Sequence, residues 1–124
     1  MIFGLGVDIV QLVRMQTALE RTPKLAERIL TDSELAEFLH AKDRPRYLAK
    51  RFASKEAVVK ALGTGIAKGV SWHDIQIDKT VDGKPLVALT GKALSVATDY
   101  EIRAWHLSYS DEKEYVVATV IAES

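Results

Sequence analysis

Large apolar residues alternate strictly with small or polar ones at the start of the chain. Phe3, Leu5, Val7 and Ile9 fall on one side, and Gly4, Gly6 and Asp8 on the other. A period of two predicts a strand over residues 2–10 with the large apolar side chains on the core face. The second face lacks two side chains before it reaches a carboxylate. Glycine weakens a strand, so two on one face imply that something approaches closely there. The period then lengthens. Leu12, Met15 and Leu19 form the stripe of a helix over 11–21, which Pro23 breaks. A short helix at about 24–30 follows, and Thr31-Asp-Ser-Glu34 is a capping box opening a third helix through Leu39.

Asp43 and Pro45 open a long helix that reaches Leu62, with Leu48, Phe52, Val59 and Leu62 as its core stripe. Gly63 is placed to end it in the left-handed conformation, and Gly65 keeps the exit open. Val70 to Asp78 reads as a strand, Asp82-Gly83 as a turn and Pro85 to Leu89 as a second short strand. Thr90 is expected to cap a helix over 91–99. A hairpin closes the pattern, Glu101 to Ser110 and Glu114 to Ala122 around a turn at Asp111–Lys113. This order predicts an α+β fold, an antiparallel sheet carrying helices. No repeat, linker or shift in composition divides it, so residues 1–124 are expected to form a single domain.

Composition narrows the classes. With 17 basic and 17 acidic side chains the chain is not a general polyanion binder, so no nucleic-acid partner is expected and any basic patch must be local. No apolar run approaches the roughly 20 residues of a membrane span, and the first residues lack the features of a signal peptide. Neither membrane association nor secretion is expected. There is no cysteine, which removes disulfides, thiolate zinc sites and cysteine nucleophiles and fits a cytoplasmic protein.

The candidate chemistry begins with Asp8. A carboxylate in an apolar strand is costly to bury unless it is paired or bound to a metal. Taken alone, an edge aspartate facing water is the simpler reading. Glu56 shifts the balance, because two carboxylates from distant segments match the ligand set of Mg²⁺, which uses one or two carboxylates plus substrate phosphates and water. Lys60 lies four residues beyond Glu56 on the same helix face. It is either an exposed ion pair worth about 0.3–0.5 kcal/mol or a phosphate contact beside the metal. Lys50, Arg51 and Lys55 share the helix, and some of these are expected to be merely solvated.

Other signals are weaker. Gly63–Gly69 is not a Walker A loop, since the spacing is wrong and a helix precedes the glycines where a strand belongs. Gly4-x-Gly6 lacks the third glycine of a dinucleotide fingerprint. Arg14 and Arg21 are one heptad apart, and Lys24 and Arg28 follow; they form either a docking face for an acidic partner or a solvated surface. Ser108 and Ser110 have no readable histidine-plus-acid partners and are expected to be structural. Trp72 and Trp105 are expected in the core or at a subunit contact.

Three stretches together resemble a known family. They are Gly4-Leu-Gly-Val-Asp-Ile-Val10 with Arg14, Leu48-Ala-Lys-Arg-Phe-Ala-Ser-Lys-Glu-Ala57 running on through Lys60-Ala-Leu-Gly-Thr-Gly-Ile66, and Gly83-Lys-Pro85. They are similar to the holo-[acyl-carrier-protein] synthases, the small homotrimeric branch of the 4′-phosphopantetheinyl transferases, over essentially the whole chain. The resemblance implies transfer of 4′-phosphopantetheine from coenzyme A to a serine of apo acyl carrier protein, in support of fatty acid biosynthesis. It implies Asp8 and Glu56 as Mg²⁺ ligands, Glu56 and Lys60 as the catalytic pair, and Lys60, Gly63, Thr64, Gly65 and Pro85 around coenzyme A. It places Arg14, and with it Arg21, Lys24 and Arg28, toward the carrier protein, and it implies active sites shared between subunits of a homotrimer. One departure is visible: Ser108-Tyr-Ser-Asp111 stands where many members have Ser-x-Ser-His, so no histidine role carries over to Asp111.

Two other readings compete. A Mg²⁺-dependent diphosphate hydrolase would need Asp8, Glu56 and Lys60 but not the basic first helix. A non-catalytic carrier-binding module would need Arg14 and Arg21 but not the carboxylate pair. The chain keeps both sets, which favours the transferase.

Overall fold

The computed structural model describes residues 1–66 and 69–124. The middle of the Gly63–Gly69 segment, rejected above as a phosphate loop, lies outside the described residues. The element order is β1 (Ile2–Gln11), α1 (Leu12–Arg21), α2 (Leu25–Ile29), α3 (Asp32–His40), α4 (Arg44–Leu62), a 3-10 turn (Trp72–Asp74), β2 (Ile75–Lys79), β3 (Pro85–Leu89), α5 (Gly91–Asp99), β4 (Ala104–Asp111) and β5 (Tyr115–Glu123). β1, β5 and β4 form an antiparallel sheet in that order, and β2 pairs with β3 in a separate hairpin. The α+β class expected from the pattern is the observed one.

α4 lies across the three-stranded sheet, and small residues let it come close. Ala49, Ala53, Ala57 and Ala61 recur every fourth residue, so they form one ridge along the helix; all are buried. Val116, Ala118, Val120 and Ala122 alternate along β5 and are fully buried. Gly4 and Gly6 complete this surface on β1. A Cβ added at Gly4 would stand 2.0 Å from the Ala61 carbonyl oxygen, and one at Gly6 would stand 1.9 Å from that of Ala57. Glycine is required here by contact with a helix backbone, not by a turn.

This corrects the expected orientation of β1. Its glycine face is the core face. Leu5 is 61% exposed, Ile9 60%, Val7 49% and Phe3 40%. The alternation is as read, but its two faces are exchanged, because the helix can approach only the face that has no side chains. The outward face continues across the sheet through Val117, Thr119 and Ile121 of β5, which lie opposite Ile9, Val7 and Leu5.

The helix ends follow local chemistry. Thr31 and Glu34 form the expected capping box on α3, and Asp43 caps α4 by accepting from the Arg46 N–H. Gly63 ends α4 at φ 85° and returns its N–H to the Val59 carbonyl. Two expectations are corrected. The strand expected from Val70 begins only at Ile75, because Ser71 and Asp74 cap a 3-10 turn at Trp72–Asp74. Thr90 makes no side-chain cap; the Ala93 N–H near the start of α5 instead donates to Asp74 Oδ2 at 3.2 Å.

Candidate active site

Asp8 and Glu56 are brought together by the close packing of β1 on α4. Asp8 lies two residues beyond Gly6 on the same strand face, and Glu56 immediately precedes Ala57, against which Gly6 rests. Both carboxylates line a cleft of about 420 Å³ with Ile9, Val10, Gln11, Arg14, Met15, Ala18, Leu25, Ile29 and Phe52. The charged groups of its lining are Asp8, Glu56 and Arg14, and the rest, apart from Gln11, is apolar.

Lys60 Nζ donates to Asp8 Oδ1 and to the Val7 carbonyl, each at 3.0 Å. Its ion pair is therefore with the strand carboxylate and not with Glu56 one turn away. The Asp8 side chain is 15% exposed and that of Lys60 is 49% exposed, so the ammonium remains open to a ligand. Partial burial pushes the Glu56 carboxyl above its ordinary value, and the Asp8 charge adds to this, against a smaller opposing effect of Lys60. A raised carboxyl next to a second carboxylate is a local excess of negative charge, which favours a bound cation or a proton.

The donor set fits Mg²⁺. Two hard oxygen ligands converge on one cleft, with a cationic side chain beside them for a phosphate. Among the described residues no group of three or more His, Asp or Glu side chains converges in this way. Two carboxylates leave positions for substrate phosphates and water, the mode Mg²⁺ prefers over an all-protein cage.

The other expected residues separate into three places. Among the described residues, nothing lies within 4 Å of a Cβ added at Gly63 or Gly65, and Thr64 Oγ1 donates to the Gly65 carbonyl. Pro85 opens β3 opposite Lys79 and is not among the residues lining the Asp8 cleft. Arg14 reaches the cleft, whereas Arg21, Lys24 and Arg28 are exposed along α1 and α2 away from its lining.

Asp111 is held by cations. Lys50 Nζ lies 3.0 Å from its Oδ2, and Arg46 donates to its Oδ1 and to the Glu112 carbonyl. Burial alone would push this carboxyl up, but the hydrogen bonds and charges of Lys50 and Arg46 hold it below its ordinary value. An acid so stabilised is a poor base. His106 faces outward from the sheet, 3.0 Å from Glu123. Trp72 packs on Phe52 with ring centroids 5.4 Å apart, and Trp105 is partly buried against the core.

The helical cations include two that are not solvated. Of Lys50, Arg51 and Lys55, some of which are expected from the sequence to be merely solvated, Arg51 is 3% exposed and Lys55 fully buried. Lys55 Nζ donates to Glu34 Oε1 at 2.6 Å, to the Ile29 carbonyl at 2.7 Å and to the Trp72 carbonyl at 3.2 Å. The sequence signal for this pair was available but weak: Glu34 belongs to the capping box, and Lys55 lies three residues beyond Phe52 on the buried stripe.

Comparison with known proteins agrees with this geometry. Residues 4–120 match the sequence model of the 4′-phosphopantetheinyl transferase superfamily. A holo-[acyl-carrier-protein] synthase of Vibrio cholerae is 53% identical over 124 residues, covering 99% of this chain and 98% of that protein. The solved holo-[acyl-carrier-protein] synthase of Neisseria meningitidis superposes with a TM-score of 0.93 at 45% identity, covering 100% of both chains. The Bacillus anthracis enzyme, solved in complex with CoA (3′,5′-ADP), superposes with a TM-score of 0.85 at 39% identity, covering 100% of this chain and 98% of that one. The Helicobacter pylori enzyme, in complex with coenzyme A, gives 0.82 at 32% identity, covering 96% of this chain and 99% of that one. With its strand carboxylate, its helical carboxylate and ammonium, and relatives matched along nearly their whole length, the chain belongs to the holo-[acyl-carrier-protein] synthase family of the 4′-phosphopantetheinyl transferase superfamily.

Proposed function

We propose that the chain carries out its family's reaction at the Asp8–Glu56–Lys60 cleft, as one transferase domain. The reaction moves 4′-phosphopantetheine from coenzyme A to a serine of apo acyl carrier protein. The serine oxygen bonds to the phosphorus that bears the pantetheine arm. The diphosphate bridge breaks, and adenosine 3′,5′-bisphosphate leaves with the bridging oxygen. The observation that carries this assignment is the convergence of two carboxylates from distant segments with Arg14 at one cleft, one of those carboxylates, Asp8, being bonded to Lys60.

Asp8 and Glu56 would hold Mg²⁺, which when bound neutralises diphosphate oxygens and acts as a Lewis acid. Lys60, half-exposed and anchored by the Val7 carbonyl, is placed to stabilise charge on the leaving phosphate. Glu56, directly or through a water held in the cleft, would take the serine proton. The exit at Gly63, Thr64 and Gly65 lies next to Lys60 and would line the phosphates of coenzyme A. Arg14, Arg21, Lys24 and Arg28 would face the acidic carrier.

We further propose a homotrimer in which each site draws on two chains. The exposed apolar stripe of Phe3, Leu5, Val7 and Ile9 supports this, since an apolar sheet face left in water favours association. Pro85, which does not line the cleft of its own chain, would then serve a neighbour's coenzyme A. The cysteine-free composition supports a cytoplasmic location. Among the described residues, no helix is long and apolar enough to cross a membrane.

The test is direct. The protein is incubated with coenzyme A, Mg²⁺ and apo acyl carrier protein, and the carrier is weighed by mass spectrometry. A mass gain of one phosphopantetheinyl group is expected. Consumption of coenzyme A with no gain on the carrier would instead indicate a hydrolase.

A further inference from the structure

The strongest feature outside the reacting cluster is the buried pair of Lys55 and Glu34. Lys55 is fully buried and Glu34 is 1% exposed. Every strong group in the pair is used. Glu34 Oε1 accepts from Lys55 and from the Thr31 N–H at 2.9 Å, and Oε2 accepts from the Ile77 N–H at 2.8 Å. Lys55 spends its three donors on Glu34, on the Ile29 carbonyl and on the Trp72 carbonyl. Burial pushes the ammonium below its ordinary pKa, and the Glu34 charge opposes this. Two charges taken so far from water are a poor device for stability alone, since an apolar pair of similar volume often serves as well.

What the pair does well is fix positions. α2 has only five residues, Leu25–Ile29, too few to hold a helix without tertiary anchors. Leu25 and Ile29 nevertheless form one wall of the cleft that Phe52 and Glu56 of α4 also line. Lys55 joins that wall to the floor, because its Nζ reaches the last turn of α2 from the residue next to Glu56. The Trp72 carbonyl is held by the same ammonium, and the Trp72 ring packs on Phe52. His73 Nε2 is also 2.7 Å from the Glu27 carbonyl, so α2 and the 3-10 turn are tied to each other independently of Lys55. Without the ammonium they would remain together but lose their polar tie to α4, leaving apolar packing such as that of Trp72 on Phe52.

We propose that Lys55 is a positioning residue for carrier-protein recognition: it ties the α2 wall of the cleft to the helix bearing Glu56 and so sets the width of the entrance the carrier uses. This rests on the reading that the carrier docks along α1 and α2. The coenzyme A side of the site, Asp8 on β1 with Glu56 and Lys60 on α4, is held by the glycine–alanine packing and does not depend on Lys55.

The experiment is steady-state kinetics with each substrate varied in turn. Lys55→Met should raise the KM for apo carrier about tenfold, a loss of about 1.4 kcal/mol, with the KM for coenzyme A within about twofold. This variant strands the Glu34 charge and can lose much of its stability. The double variant Glu34→Gln with Lys55→Met removes both charges and leaves an amide that can donate to a released carbonyl, at the loss of one of the two backbone N–H bonds that the carboxylate accepts. Its melting temperature should recover toward wild type while the carrier KM stays raised, and the amides of residues 26–30 should exchange hydrogen faster than in wild type. Recovery of the carrier KM together with stability would overturn the proposal, as would equal changes in both KM values. Arg14→Glu with Arg21→Glu, run alongside, separates the two readings. If it raises the carrier KM and the Lys55 variants do not, only the positioning role fails. If it does not, the docking face itself fails, and the positioning role with it.

Discussion

Gly6 lies so close to Ala57 that a Cβ on the glycine would stand 1.9 Å from the alanine carbonyl oxygen. The contact is with helix backbone, which has no rotamer to yield. It holds β1 against α4 at the distance that puts Asp8 in the same cleft as Glu56.

Gly6→Ala is therefore expected to be among the most damaging small substitutions in the chain. Overpacking costs about 1–3 kcal/mol where side chains can shift, and here the cost should be at least the upper end of that range. Activity should fall with stability, because separating β1 from α4 separates the carboxylates. Urea denaturation checks this, and a midpoint like that of wild type would refute the packing argument.

Asp8→Ala and Glu56→Ala should each abolish transfer with little loss of fold. Neither side chain fills a core position, so no cavity opens. Loss of either carboxylate leaves a single ligand for the cation, and the rate at ordinary Mg²⁺ should fall by about 100-fold or more, at least as much as losing an outer partner of a metal site. Circular dichroism and a Mg²⁺ titration of activity are the measurements. Full activity in either variant would remove the metal assignment.

Arg14→Glu combined with Arg21→Glu should raise the KM for the carrier and leave that for coenzyme A nearly unchanged. Net charge is zero over the whole chain, so attraction to an acidic partner has to come from a local patch. Reversing it should slow encounter and weaken the dependence on salt. Kinetics at two ionic strengths decide. Unchanged KM and salt dependence would mean that both arginines are merely solvated.

Leu5→Lys with Val7→Lys should convert the proposed homotrimer to folded monomers. Both side chains point away from the core, so the fold should persist by circular dichroism while light scattering reports a smaller species. Transfer should be lost if sites are shared between chains. A wild-type protein that is monomeric and active would defeat this prediction from the outset.

Asp111→Asn should destabilise the protein only slightly and only above the acid range. The folded carboxyl titrates below its ordinary value. Its contribution is therefore present above the unfolded pKa of about 4 and is lost as pH falls through the folded value. The pair with Lys50 and Arg46 is partly exposed, so a difference of about 0.5 kcal/mol is expected at neutral pH. Melting curves of both proteins from pH 7 to pH 2.5 test it, and a gap independent of pH would show that the charge of Asp111 is not what matters.

The amino-acid sequence by itself determined most of the elements, because their signals are local, but not the 3-10 turn at Trp72–Asp74 that delays β2 to Ile75. The period of β1, the Thr31–Glu34 capping box, the Gly63 stop and the Asp82-Gly83 turn each act within a few residues, and each forms as read. It also singled out Asp8, Glu56 and Lys60, since polar residues stand out in apolar or glycine-rich surroundings. Only the tertiary structure decided which face of β1 is the inside. Hydrophobicity pointed to Phe3, Leu5, Val7 and Ile9, but the alanine ridge of α4 can approach only a face without side chains. Tertiary structure also decided that Lys60 pairs with Asp8 rather than Glu56, and that Lys55 is buried while Lys60 is not. A lysine's place on a helix says which neighbours lie within one turn. Whether its ammonium meets water, a strand carboxylate or three carbonyl and carboxylate oxygens depends on segments that only folding brings near.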